Sequence, residues 1–142
     1  MIRSITGLLL SCLATSLCFA QQVKNAAVPA VVKTALTKKY PTATAVTWEK
    51  EKGNFEANWG GRSHEDYSVV FTPEGSFVEQ VIAIPVSSLP EGVSSYVKKN
   101  YPGSHITEAG KVTDAAGKLS YEAEVKGKDL LFDENGKFLK KD

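Results

Sequence analysis

Eight residues of this chain return at one fixed distance. Pro29, Val32, Lys38, Tyr40, Pro41, Phe71, Gly75 and Phe77 recur as Pro90, Val93, Lys99, Tyr101, Pro102, Phe132, Gly136 and Phe138, each 61 positions later. A fixed internal period marks two copies of one supersecondary unit, so the unit has to be read before the fold. The expected organisation is a leader over residues 1–20, a first repeat over 21–84 and a second over 85–142 with its core from 89, the two packed as one structural unit. A lone domain of roughly 60 residues buries only about 60% of its unfolded surface. A single core shared by both copies is therefore expected.

The leader reads as a secretory signal. Arg3 gives a short positive segment, Ile5 to Leu17 an uncharged and mostly apolar run, and Cys18-Phe19-Ala20 small residues at the positions a signal peptidase reads. Cleavage after Ala20 exposes Gln21. The rival reading is a lipoprotein, since Leu9-Leu10-Ser11-Cys12 loosely fits a lipid-attachment box, but only about six apolar residues precede that cysteine. The run is also short of the ~20 residues a membrane span needs. Export to the periplasm or beyond is expected, with no membrane span.

Cleavage removes both cysteines, Cys12 and Cys18, so the exported chain forms no disulfide and depends on packing. It also removes Arg3, leaving sixteen basic against sixteen acidic residues. A chain without a basic excess lacks the electrostatic footprint of a nucleic-acid binder.

Within each copy the hydrophobic period changes from helical to extended. Val28, Val32, Ala35, Leu36 and Tyr40 form one helical stripe, with Pro29 suited to its first turn and Pro41 ending it; Leu89, Val93, Tyr96, Val97 and Tyr101 repeat the stripe before Pro102-Gly103. Four short strands follow each helix. In the first copy they cover roughly residues 44–51, 54–59, 67–72 and 76–84; in the second, roughly 105–113, 119–126, 128–132 and 137–140. Pro85 to Pro90 reads as a short linker. The fold class is α+β: a tandem duplication of a helix plus four-stranded antiparallel unit.

Loop lengths separate the copies. Phe55-Glu56-Ala57 matches Tyr121-Glu122-Ala123 at an offset of 66, so the second copy carries five extra residues around Asp114 to Lys118 in its first hairpin; the offset returns to 61 by Phe132, so the first copy carries five extra at Arg62-Ser63-His64-Glu65-Asp66. Binding groups are disproportionately placed in such loops. Alternation assigns faces as well: Phe55, Ala57, Trp59, Tyr121, Ala123 and Val125 form a dry side facing the helices, with Val46 and Trp48, while Glu56, Asn58, Glu122 and Glu124 face water with Thr47, Glu49, Val70 and Leu131. A wet sheet face with carboxylates suits a basic partner; it is also what any half-exposed antiparallel sheet presents.

Order, spacing and duplication together resemble the PepSY-like family of secreted proteins related to beta-lactamase-inhibitory protein. The resemblance rests on Tyr40-Pro41-Thr42-Ala43 and Tyr101-Pro102-Gly103-Ser104, on Phe55-Glu56-Ala57 and Tyr121-Glu122-Ala123, and on the hairpins from Phe71 to Phe77 and Phe132 to Phe138. It implies a large antiparallel sheet curving against helices on one face and leaving a concave face open. It implies also an envelope protein of a Gram-negative, Bacteroides-like bacterium, and hydrolase inhibition or peptide binding as a class. Inhibition of a beta-lactamase does not carry over, because that inhibitor uses particular loop residues and two disulfides that have no match here.

Catalytic signatures are not found. Adjacent residues such as His64-Glu65-Asp66 seldom converge on one metal, and the other histidine, His105, lies in the second copy. No Gly-x-Ser-x-Gly elbow or phosphate-binding glycine loop occurs, and Asp133-Glu134-Asn135-Gly136 fits a hairpin turn better than a calcium loop. The expected function is thus a non-catalytic secreted binding module without cofactor or metal, taking an envelope protein or peptide, an inhibited hydrolase among the candidates. The rival is a structural or stress-related envelope protein with no dedicated ligand. Candidate binding residues are Glu56, Asn58, Arg62, His64, Glu65, Asp66, Glu122 and Glu124.

Overall fold

A computed structural model describes residues 21–63 and 65–141. The leader, with its cleavage site, and His64 lie outside the described residues. The elements are β1 (Gln21–Val23), α1 (Ala30–Lys39), β2 (Thr47–Glu51), β3 (Asn54–Trp59), β4 (Tyr67–Phe71), β5 (Phe77–Ala83), α2 (Glu91–Asn100), β6 (Glu108–Asp114), β7 (Leu119–Val125), β8 (Lys128–Asp133) and β9 (Phe138–Lys141). The nine strands form one antiparallel sheet in chain order. The fold is α+β, with two helices and a large open sheet.

Eight strands lie where the residue patterns put them, and β1 is an addition. Gln21, Gln22 and Val23 pair with Lys50, Glu49 and Trp48 of β2, as Ile82 and Ala83 of β5 pair with Lys111 and Gly110 of β6. Three residues are too few to show an alternation, so only the pairing reveals this strand. β5 serves two neighbours, β4 on one side and β6 on the other, and thereby joins the halves. The expected linker contains a 3-10 turn, Val86–Ser88, matching Asn25–Ala27 ahead of α1. Each proline sits one residue before its helix, Pro29 and Pro90 both extended at the N-cap.

Both helices cover the same face. Trp59, Tyr67, Ile82, Lys111, Tyr121 and Phe132 are successive register partners from β3 to β8, and directly paired residues share a face. One buried cluster joins Val32 and Leu36 of α1 to Trp48, Phe55, Ala57, Trp59, Val69 and Phe71, with Tyr40 packed against it. A second joins Val93 and Val97 of α2 to Ala123, Val125, Leu130 and Phe132, with Tyr101 and Tyr121 alongside. The expectation of one shared core thus gives way to two clusters. The reason is that each helix lies over the strands that follow it, and the halves meet through main-chain hydrogen bonding between β5 and β6.

The Phe-x-x-x-Gly-x-Phe hairpins show why they recur. Gly75 and Gly136 have φ of +84° and +82°, and a Cβ on either would lie 3.1 Å from the Val31 carbonyl oxygen or 3.0 Å from the Pro90 Cβ. Each glycine allows the left-handed turn and lets the start of the helix approach the sheet. Asp133 closes its turn by accepting hydrogen bonds from the backbone N–H groups of Asn135 and Lys137, and Asp114 does the same with Ala116 and Lys118. The longer first hairpin of the second half is therefore a closed Asx turn of the same kind.

Candidate functional site

Opposite the helices, the other face of the sheet forms a groove of about 740 Å³. It runs from Glu49 and Glu51 on β2 to Lys140 on β9, and at β5 and β6 its floor is small and apolar: Val81, Ala83 and Gly110. Carboxylates supply nine of its twenty lining residues and lysines two. Strand alternation produces this directly, because each apolar residue turned to a helix leaves its polar neighbours on the groove side.

Of the candidate residues, the structure brings Glu56, Asn58, Glu65, Glu122 and Glu124 to this groove. Arg62 and Asp66 are exposed in the β3–β4 turn, where the Asp66 carbonyl oxygen accepts from the Ala83 N–H. Sequence reasoning passed over Glu79, Glu108 and Asp129 as site residues and named Glu49 only as a face residue, though all four line the groove. Alternation from Glu122 along β7 and the register to β6 and β8 would have found Glu108 and Asp129. Their approach to Glu56 and Glu122 is a matter of pairing alone.

Glu56 and Glu122 are half-buried, contrary to their reading as solvated groups. Burial pushes the Glu56 carboxyl group up, against a lowering hydrogen bond from the Ser68 hydroxyl, and Glu49, Glu51 and Glu79 push it further. Glu122 is raised to about 8, first by burial, then by the charges of Asp129 and Glu79, by a hydrogen bond with Asp129 and by Glu56. A hydrogen bond between two carboxyl groups requires a proton on one of them, and Glu122 holds it. At the rim Glu108 is also raised, by desolvation and then by Glu124, Glu65 and Asp129. The Thr107 hydroxyl donates to Glu124. The groove thus concentrates negative charge that water screens poorly, and a cation entering it would relieve both repulsion and desolvation.

Among the described residues, no three His, Cys, Asp or Glu side chains converge as a metal site. None of the described helices is long and apolar enough to cross a membrane. A family model described as beta-lactamase-inhibitor-like, PepSY-like matches residues 15–79 and again 61–140. The chain belongs to the PepSY-like family. Its PepSY-like fold is shared by solved structures of low sequence identity. A protein from Bacteroides eggerthii described as periplasmic is 21% identical, with a TM-score of 0.66 over 81% of this chain and 88% of that one. A DUF2874 family protein from Bacteroides uniformis is 23% identical, with 0.65 over 80% and 88%. A BLIP-like protein from Bacteroides fragilis is 20% identical, with 0.53 over 79% and 83%. No curated protein matches the chain.

Proposed function

We propose that this PepSY-like protein is a non-catalytic binding module of the periplasm, exported by cleavage after Ala20, which takes a cationic partner into the groove opposite its helices. The observation that carries this is the crowding of carboxyl groups around Glu56 and Glu122 in one groove. Such crowding destabilises the empty protein, and an arriving amine or guanidinium group turns that cost into affinity. The solved neighbour described as periplasmic supports the location, and the BLIP-like neighbour supports a protein partner, an envelope hydrolase included. The unit behind the groove is a tandem duplication with a first repeat over 21–84 and a second over 85–142, supported by the double family match and by elements that recur 61 positions apart.

Calorimetric titration with spermine tests the reading. Spermine should bind the wild-type protein and bind less tightly as salt rises. The double variant Glu56→Gln, Glu122→Gln should bind at least about tenfold less tightly, equivalent to ~1.4 kcal/mol. Absence of binding, or equal binding by the double variant, would overturn it.

A further inference from the structure

Charge on this molecule is sorted by side of the sheet. Residues 21–142 carry sixteen acidic and sixteen basic residues; nine of the acidic and two of the basic line the groove, which leaves seven acidic and fourteen basic residues elsewhere. α1 shows that excess plainly, since its charged residues, Lys33, Lys38 and Lys39, are all basic. Lys33 donates to the Asn25 carbonyl oxygen, and the Lys39 Nζ lies 4.5 Å from the centre of the Phe77 ring. Lys38 is exposed. Val31, seven residues earlier on the same helix face, is 50% exposed and stands outside the buried cluster beneath α1. α2 presents no such pair: Gly92 holds the place of Val31, where a Cβ would lie 2.7 Å from the Gly136 carbonyl oxygen, and Glu91 opens the helix.

The groove complements that face of α1 in chemistry and in spacing. Its floor at Val81, Ala83 and Gly110 is small and apolar, a seat for an exposed valine. Lys38 lies ~10 Å along the helix axis from Val31 at ~1.5 Å per residue, and two interstrand spacings of ~4.8 Å lead from Gly110 on β6 to Asp129 on β8, beyond Glu122 and Glu124 on β7. A helix crossing the strands therefore brings its valine to the floor and its lysine to the carboxylates together. Resting on the cationic-partner reading above, we propose that the groove takes a second copy of this chain, whose α1 lies across the strands with Val31 on the apolar floor and Lys38 among Glu122, Glu124 and Asp129. Helix and groove are on opposite faces of the sheet, so two copies cannot fill each other's grooves reciprocally. Association runs head to tail and does not close at a dimer.

Sedimentation velocity of the wild-type protein, at concentrations up to about 1 mM, tests this. At about 0.01 M salt the average mass should rise with concentration past that of a dimer, and at about 0.15 M salt association should weaken at least about tenfold. A groove variant, Glu122→Gln with Glu124→Gln and Asp129→Asn, and a helix variant, Val31→Ser with Lys38→Gln, should each stay monomeric. Mixed in equal amounts they should form a dimer and nothing longer, because each retains one intact surface. Lys38→Gln alone, a change at an exposed position, should weaken association about tenfold. If the wild-type protein stays monomeric, if its association stops at a dimer, if the mixed variants do not pair, or if Lys38→Gln associates as well as wild type, the second-copy inference fails, while spermine binding keeps the cationic groove standing. If spermine does not bind either, both readings fail.

Discussion

The two halves of the sheet solve one packing problem with their aromatic mass at different ends. In the first half Tyr40 lies 5.3 Å from Trp59, and Trp59 stacks on Tyr67 at 5.4 Å, beyond the C-terminus of α1. In the second half Val125 and Lys128 stand at the places of Trp59 and Tyr67. There the mass moves to Tyr96, which replaces Ala35, stacks on Phe138 at 4.4 Å and meets Phe132 edge-on at 5.5 Å. Packing tolerates either arrangement so long as volume is conserved around the helix. On the groove side no such exchange occurs, because Ser68 and Asp129 hold the same place with opposite electrostatic effect. The cores differ in how they fill space; the groove ends differ in what they attract.

The largest expected effect tests the equivalence of the cores. Phe71 and Phe132 are 1% and 0% exposed, and Phe71→Ala or Phe132→Ala should each cost about 3–4 kcal/mol in denaturant unfolding. Because β5 pairs into both halves, each substitution should lower one common transition. Two separate transitions, each moved by one substitution, would break the comparison into two independent domains.

Next comes Glu122. Its carboxyl group keeps a proton to about pH 8 when folded, against an ordinary glutamate value of 4.5, so its stabilising contribution is complete below about 4.5 and lost as pH rises through about 8. Glu122→Gln should leave stability unchanged in acid and raise it by on the order of 2 kcal/mol above pH 8, well below the full shift because the group retains some solvent. Glu56→Gln should show the same sign and a smaller gain, since the Ser68 hydroxyl already favours the charged form. Thermal melts from acid to mild alkali read both.

Exchanging the neighbours sharpens the same contrast. Asp129→Ser should lower the Glu122 pKa by about one unit or more, and Ser68→Asp should raise that of Glu56, each followed by carboxyl carbon NMR titration. A Glu122 value that stays near 8 in Asp129→Ser would assign the effect to burial alone. The smallest effect belongs to the turns: Asp114→Ala and Asp133→Ala each remove two side-chain acceptor bonds and should cost about 1 kcal/mol. A much larger loss at Asp114 would mean that its longer hairpin differs from the Asp133 turn.

Much of this architecture is written locally. Alternation along Phe55-Glu56-Ala57-Asn58-Trp59 fixes which side chains face a helix, since successive residues of a strand point to opposite sides. Glycines and prolines at repeated positions mark the turns and the helix ends. Where Glu56, Asn58, Glu122 and Glu124 would point could therefore be read from their neighbours in sequence. Tertiary structure alone decided that β1 completes the first half, that the halves have separate clusters, and that half-buried Glu122 meets Asp129 on the next strand. Direction along a strand is a property of the chain itself, whereas the cost of a charge depends on which distant residues exclude water from it.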